Sequence, residues 1–245
     1  MIPEVTFAGR QSRGVREKQE DCYGFCTLGS GPNVALMLAL ADGMGGHERG
    51  EVASALAVDT FLQRLDVRSL DLRPAMLDAL RLANSEIASE NTRRGGAPDE
   101  MGTTFVGIFF HRNEVRWVSV GDSPLYLYRN GAMQRLNEEH VVQPVGEGSV
   151  DSAVLTSALT GGKIHRIDAP EKAIQLEQGD IVICASDGMN SIPLSRIAIK
   201  IEIYAELPAG ELAEKLVQAV ESERKSSQDN LTVTVIKHQP PAVEV

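Results

Sequence analysis

Cysteine is scarce in this chain: Cys22, Cys26 and Cys184 are the only three in 245 residues. Three thiols at such irregular spacing make neither a disulfide framework nor a zinc site, so a reducing compartment is expected. Cys184 falls in an apolar run and reads as a small core residue. Long apolar runs are missing too. The longest, Val34 to Ala41, is far short of the roughly 18 residues that a membrane helix requires. Met1-Ile2-Pro3-Glu4 has no charged segment leading into an apolar one, so no signal peptide is read there. The expectation is a soluble, cytoplasmic protein with no membrane partner. Aromatic residues are few, at 4 %, which leaves aliphatic side chains and alanine to build the core. Positive charge is also short: 24 Lys and Arg stand against 34 Asp and Glu. The net charge of −10 repels phosphate backbones, so general nucleic-acid binding is excluded.

There is no internal repeat and no low-complexity segment. The length suits one large domain, and no shift in composition marks a second. One domain is expected over residues 1–237. A short tail, 238–245, follows, in which Pro240 and Pro241 oppose regular structure.

Apolar residues at helical spacing predict helices over Glu48–Leu65, Pro74–Thr92 and about Gly210–Glu223. Most of the remainder reads as strands. Thr103–Phe110 and Val115–Val120 flank the polar His111-Arg112-Asn113-Glu114, a hairpin pattern. Leu125–Arg129 and Ala132–Leu136 flank Asn130-Gly131, the strongest short hairpin signal. Ile174–Leu176, Ile181–Ala185 and Leu231–Ile236 add further strands. Consecutive strands joined by tight turns imply mainly antiparallel sheet with the helices grouped apart. The expected architecture is α+β: two sheets packed as a sandwich and flanked by helices.

Particular aspartates recur at strand ends. The apolar strand Val34–Ala41 ends at Asp42-Gly43, Val115–Val120 at Gly121-Asp122, and Ile181–Ala185 at Ser186-Asp187-Gly188. Leu231–Ile236 begins just after Asp229-Asn230, and Glu20-Asp21 precedes another short strand, Cys22–Phe25. Asp before Gly is a common turn pair, so each acid alone reads as a turn residue. Together they can meet at one sheet edge if the last strand runs antiparallel. Clustered carboxylates repel, and a hard divalent cation such as Mg²⁺ or Mn²⁺ supplies the missing positive charge through oxygen ligands.

Six blocks carry a family resemblance. They are Arg16-Glu17-Lys18-Gln19-Glu20-Asp21, Ala41-Asp42-Gly43-Met44-Gly45-Gly46-His47, Met101-Gly102-Thr103-Thr104, Val120-Gly121-Asp122-Ser123, Gly179-Asp180 leading to Ala185-Ser186-Asp187-Gly188-Met189, and Gln228-Asp229-Asn230. In this order, over more than 200 residues, they resemble the protein phosphatase 2C group of metal-dependent serine/threonine phosphatases. The resemblance implies a single phosphatase domain, a central pair of antiparallel sheets with helices on both outer faces, and two to three Mn²⁺ or Mg²⁺ ions at one end. It implies that Asp42 bridges two ions, with the Gly43 carbonyl as a backbone ligand. Asp187 and Asp229 then serve one ion and Glu20 the other, directly or through water, with Asp21 supporting this shell. Asp122 resembles the ligand of a further, weaker site shared with Asp187, and Arg16 the residue that binds substrate phosphate.

The chemistry is coherent in its own right. Two ions about 3.5–4 Å apart can lower the pKa of a water between them and clamp phosphate oxygens for in-line attack, with no phosphoenzyme. A guanidinium matches two phosphate oxygens in a fork that lysine cannot copy. His47, with an ordinary pKa of about 6.5, is a candidate proton donor to the leaving alkoxide, or else a cap for the helix beginning near Glu48. The implied partners are phosphorylated proteins, including a serine/threonine kinase or its targets.

Three places depart from the family pattern. Ser123-Pro124 stands where Ser-Arg is usual, removing an arginine beside Asp122. Gln19 stands where asparagine is more usual, and Asn137–Ser157, which resembles the substrate-facing flap, is short and carries Gly146 and Gly148. Two other functions are weighed. A non-catalytic phosphopeptide-binding domain of the same fold would have lost metal ligands, and none is missing. A nucleotide-phosphate cradle at Gly43–Gly50 lacks the Gly-Lys-Ser/Thr ending that such loops need.

Overall fold

A computed structural model describes residues 5–29, 34–45, 49–69, 71–95, 100–142 and 154–238. One sheet holds β2 (Asp21–Leu28), β3 (Ala35–Gly45), β5 (Phe105–His111), β6 (Glu114–Val120) and β11 (Ile174–Gln175), in the order β11-β6-β5-β3-β2. The short β4 (Met101–Thr103) pairs with the far end of β3. The second sheet runs β1-β13-β12-β7-β8, from β1 (Val5–Ser12), β7 (Leu125–Arg129), β8 (Ala132–Arg135), β12 (Ile181–Ala185) and β13 (Leu231–His238). A ribbon of β9 (Val141–Val142) and β10 (Val154–Leu155) stands apart. Every strand pair in both sheets is antiparallel, as the tight turns predict. Asn130 and Gly131 both have positive φ, at 53° and 80°, so the β7–β8 turn has the twist that a two-residue hairpin needs.

The core has three layers, and β3 shows why. Leu36, Leu38 and Leu40 point between the sheets, where they pack with Ile108, Phe110, Leu125, Val182 and Ile236. Met37, Ala39 and Ala41 point the other way, toward α1 (Gly50–Arg64) and α2 (Leu72–Arg93), against Phe61, Leu80 and Ile87. Small alanines on that face let the helix layer approach closely. On the far side, Ile183, Val233 and Val235 pack under α3 (Leu194–Tyr204) and α4 (Ala209–Glu221), against Ile201, Leu212 and Leu216. The result is an α+β sandwich of two antiparallel sheets with helices on both outer faces. Cys184 is buried between the sheets, as its apolar surroundings predict.

β1, α3 and the β9–β10 ribbon have no counterpart in the sequence reading, and the strand expected from Thr103 is preceded by the separate β4. Several boundaries also move, and the one that bears on the site is the end of β3. β3 does not stop at Ala41 but continues through Asp42 to Gly45, because β4 pairs with its last residues: Gly43 lies opposite Thr103 and Gly45 opposite Met101. Strand alternation then puts Asp42 on the same face as Leu36, Leu38 and Leu40, at the open end of the space between the sheets. Of the six sequence blocks, Gly179-Asp180 is structural. Buried Asp180 accepts from Arg129 Nε at 2.9 Å and Nη2 at 2.5 Å, tying β7 to the turn before β12.

Candidate metal centre

Segment 13–20, between β1 and β2, brings Arg16 and Glu20 to the end of the sandwich. Its shape is set by the start of β13. The Asn230 amide donates to the Arg13 and Lys18 carbonyls, each at 2.9 Å, while its oxygen accepts from the Glu20 N–H at 2.8 Å. Gly14, at φ +61°, lies so close that an added Cβ would sit 2.3 Å from the Asp229 carbonyl, so only glycine fits.

Asp42 is held through its backbone. Its N–H donates to Thr104 Oγ1 at 3.1 Å, and its carbonyl accepts from Thr104 N and Thr103 Oγ1, each at 2.9 Å. Thr104 and Ser123 hydroxyls meet at 2.7 Å, linking this clasp to the loop that carries Asp122. At Gly43 a Cβ would lie 2.3 Å from the Gly50 carbonyl and 2.5 Å from that of Glu20, so glycine there lets the first turn of α1 close on the site. Asp187 opens a 3₁₀ turn, Asp187–Ser191, directly after β12.

Arg16, Glu20, Asp42, Gly43, Asp122, Asp187 and Asp229 line one pocket of ≈ 340 Å³, together with Met44, Thr104, Leu155 and Asn230. Chain segments from five parts of the sequence therefore meet where the strand-end pattern predicts. Asp21 does not line the pocket. It lies buried behind it, directly across β2–β3 from Asp42, and its Oδ2 accepts from Ser186 Oγ at 2.8 Å and Thr232 Oγ1 at 2.7 Å. Its Oδ1 is buried without a hydrogen-bond partner among the described residues. His47 lies outside the described residues. Arg16 donates from Nη2 to Asp229 Oδ2 at 2.5 Å, so the candidate phosphate-binding cation is paired with one of the acids.

The acids are electrostatically stressed. Burial, then the charges of Asp21, Asp187, Asp122 and Asp229, push Asp42 well above the ordinary carboxylate range. Burial, then Asp122 and Asp229, raise Asp187 to about 6. Burial also raises Asp21, Asp122 and, with help from Glu51, Glu20. Like charges placed opposite each other on neighbouring strands destabilise a sheet, so the Asp21–Asp42 pair favours a bound proton or a compensating cation. The donor set is all oxygen, which fits hard divalent cations. Among the described residues no three acids converge on one point. The carboxylates instead surround a space, with Asp42 central.

Sequence reasoning missed several supporting groups. Asn230, Thr103, Thr104 and Ser123 sit inside blocks already singled out, but their roles are visible only as hydrogen bonds. Two others carry no sequence signal. Arg135, on β8, donates from Nη2 to the Asp122 carbonyl at 2.7 Å, so an arginine reaches this loop despite Pro124. His140 is fully buried and clasps Gly121: its Nδ1 accepts from Gly121 N at 3.1 Å, and its own N–H donates to the Gly121 carbonyl at 3.0 Å.

An antiparallel sandwich between helix layers, with an acidic oxygen-lined pocket at one end, defines the class of protein. The family model described as Protein phosphatase 2C matches residues 8–160. The chain belongs to that family. It is 33 % identical over 246 residues to serine/threonine protein phosphatase PstP of Mycobacterium tuberculosis, covering 94 % of this chain. It spans only 44 % of that relative's length. Protein phosphatase PhpP of Streptococcus pneumoniae is 25 % identical over 222 residues, covering 82 % of this chain and 85 % of the relative. A crystal structure of the PstP catalytic domain, in complex with two manganese ions, superposes with a TM-score of 0.75 at 30 % identity, covering 96 % of this chain and 99 % of that one.

Proposed function

We propose that the chain is a metal-dependent phosphoserine/phosphothreonine protein phosphatase, formed by one domain over residues 1–237. The observation that carries this reading is the cross-strand Asp21–Asp42 pair, in which Asp42 lines a pocket shared with Glu20, Asp122, Asp187 and Asp229 while Asp21 lies behind it. Family membership and the two manganese ions of the PstP catalytic domain support it. When bound, Mn²⁺ or Mg²⁺ ions supply charge compensation and an activated water for in-line attack on phosphorus.

The chain's own residues do the rest. Asp42, at the centre, would hold two ions together with the Gly43 carbonyl, Glu20, Asp187 and Asp229, and Asp122 with Asp187 would hold a third, weaker one. Asp21, anchored by Ser186 and Thr232, keeps Asp42 aimed into the pocket. Arg16 orients the phosphate, and His47 protonates the leaving oxygen. No thiol lines the pocket, so none is positioned as a nucleophile. The substrates are cytoplasmic phosphoproteins in a signalling pathway, including those modified by a serine/threonine kinase.

Hydrolysis of p-nitrophenyl phosphate and a phosphothreonine peptide, with Mn²⁺, Mg²⁺ or EDTA, tests the reading. Activity should require added ion, vanish with EDTA and survive thiol alkylation. Calorimetric titration should show Mn²⁺ binding lost in Asp42→Ala and Asp187→Ala. Full turnover by metal-stripped protein would falsify the mechanism.

A further inference from the structure

We infer that a second groove beside the metal pocket is a substrate subsite for an anionic side chain flanking the phosphoresidue, with Lys163 and His165 as its recognition groups. The inference rests on the phosphatase reading of the metal pocket and adds the class of peptide it takes.

The groove has a volume of ≈ 490 Å³ and is contiguous with the metal pocket, because Met44 of β3 and Leu155 of β10 line both. A polypeptide with its phosphate in the first pocket therefore has a path into the second. Met44, Leu155 and Ala158 give the groove an apolar part, and the Lys163 ammonium and the His165 ring give it a polar one.

Its other polar groups are already engaged. Thr156 Oγ1 donates to the His140 carbonyl at 2.9 Å, and Ser157 Oγ donates to the Arg166 carbonyl at 2.8 Å. Nearby guanidiniums are neutralised: Arg166 pairs with Glu138 at 2.9 Å and Arg135 with Glu139 at 3.2 Å. Lys163 and His165, by contrast, make no hydrogen bond or ion pair among the described residues, on a chain whose net charge is −10. Unpaired donors in a concavity next to the reaction site select what lies beside the scissile phosphate. A carboxylate suits them, and so does a second phosphate.

The test uses the Mn²⁺-loaded 245-residue chain and three phosphothreonine peptides: one with neutral neighbours, one with glutamates, and one with a second phosphoserine. p-Nitrophenyl phosphate, too small to reach the groove, is the control. For wild type, kcat/KM should be about 3- to 10-fold higher on the anionic peptides than on the neutral one, a range set by one or two partly solvated charge contacts. Lys163→Ala and His165→Ala should each reduce that ratio, and Lys163→Glu should bring it to one or below. Turnover of p-nitrophenyl phosphate should stay unchanged throughout. The ratio of glutamate to diphosphorylated peptide identifies the natural anion. An unchanged anionic preference in Lys163→Glu, or no preference in wild type, overturns the subsite. If p-nitrophenyl phosphate itself is not hydrolysed, the phosphatase reading fails instead. Fluorescence anisotropy of the same labelled peptides then decides the subsite, since Lys163→Glu must still abolish preferential binding of the anionic ones.

Discussion

Arg16 and Asp229 hold each other across the mouth of the acidic pocket, guanidinium to carboxylate at 2.5 Å. Both side chains are substantially solvated, so the pair contributes no more than about 1 kcal/mol. It is an exchangeable contact. On the proposed function, an ion held by Asp229 would release the Arg16 guanidinium for a phosphate arriving beside it.

Arg16 should therefore matter for phosphate and not for metal. Loss of a charge-assisted, two-pronged contact in Arg16→Ala should raise KM and the inhibition constant for inorganic phosphate by roughly 10- to 150-fold. Metal affinity should hold or tighten by up to about 5-fold, since Asp229 loses a competitor. Arg16→Lys should recover only part of the loss. Lys18→Ala, at the neighbouring cation that pairs with Glu51, should leave phosphate inhibition near wild type. Steady-state kinetics and calorimetry check all three, and equal behaviour of Arg16→Ala and Lys18→Ala would make Arg16 a surface charge only.

The acidic cluster predicts an inverted pH dependence for the metal-free protein. With its folded-state pKa raised to about 6, Asp187 binds more protons folded than unfolded between its ordinary value and about 6. Stability supplied by that proton is present at low pH and declines as pH rises through about 6. Asp187→Asn should flatten the profile. The wild type should lose on the order of 1–3 kcal/mol more than this variant between pH 4.5 and 7. Added Mn²⁺ should restore wild type more at pH 7 than at pH 5. Urea unfolding at each pH measures the difference, and parallel curves for the two proteins would show that Asp187 is not stressed.

Much of this site was legible because motif and strand end coincide. Asp42, Asp122, Asp187 and Asp229 each lie where an apolar strand meets a Gly or Asn, and antiparallel pairing within each sheet, with the two sheets packed face to face, brings such ends together. The Asn130-Gly131 turn was legible for a similar reason, since positive φ at two successive residues restricts the choice of side chain. Other parts were not. In α3, Ile197, Ile199, Ile201 and Ile203 alternate as a strand would, yet Pro193 precedes a helix that buries only Ile197 and Ile201. Packing of that i, i+4 pair against α4 and the second sheet overrides the period-two pattern, and Ile199 and Ile203 stay exposed. β1 escaped notice because it is an edge strand in which only Val5 and Gly9 are buried. Arg135 and His140 act through the backbone of Gly121 and Asp122, a kind of contact that leaves no trace in spacing.

His140 yields the last prediction. Its Nδ1 accepts from the Gly121 N–H, so Nε2 carries the ring proton, and Nε2 is buried without a partner among the described residues. Burial, then the charge of Arg166, lower its pKa from the ordinary value, which keeps the ring neutral and Nδ1 available as an acceptor. The His140 carbonyl meanwhile accepts from Thr156 N at 2.8 Å, so one residue joins the Asp122 loop to the wall of the neighbouring groove. His140→Phe keeps the volume but leaves the Gly121 N–H buried and unpaired, a loss of about 1–3 kcal/mol. His140→Asn offers an amide oxygen in place of Nδ1. Urea unfolding should rank wild type above Asn and Asn above Phe. Calorimetry should show the weakest Mn²⁺ site impaired about 10-fold in Phe and largely recovered in Asn, with the tighter sites unchanged. Because a lowered histidine pKa means fewer protons bound in the folded state, wild-type stability should fall as pH drops below about 6.5, and His140→Phe should lose that component. If Phe and Asn proved equally stable and bound Mn²⁺ alike, the clasp on Gly121 would have no part in positioning Asp122.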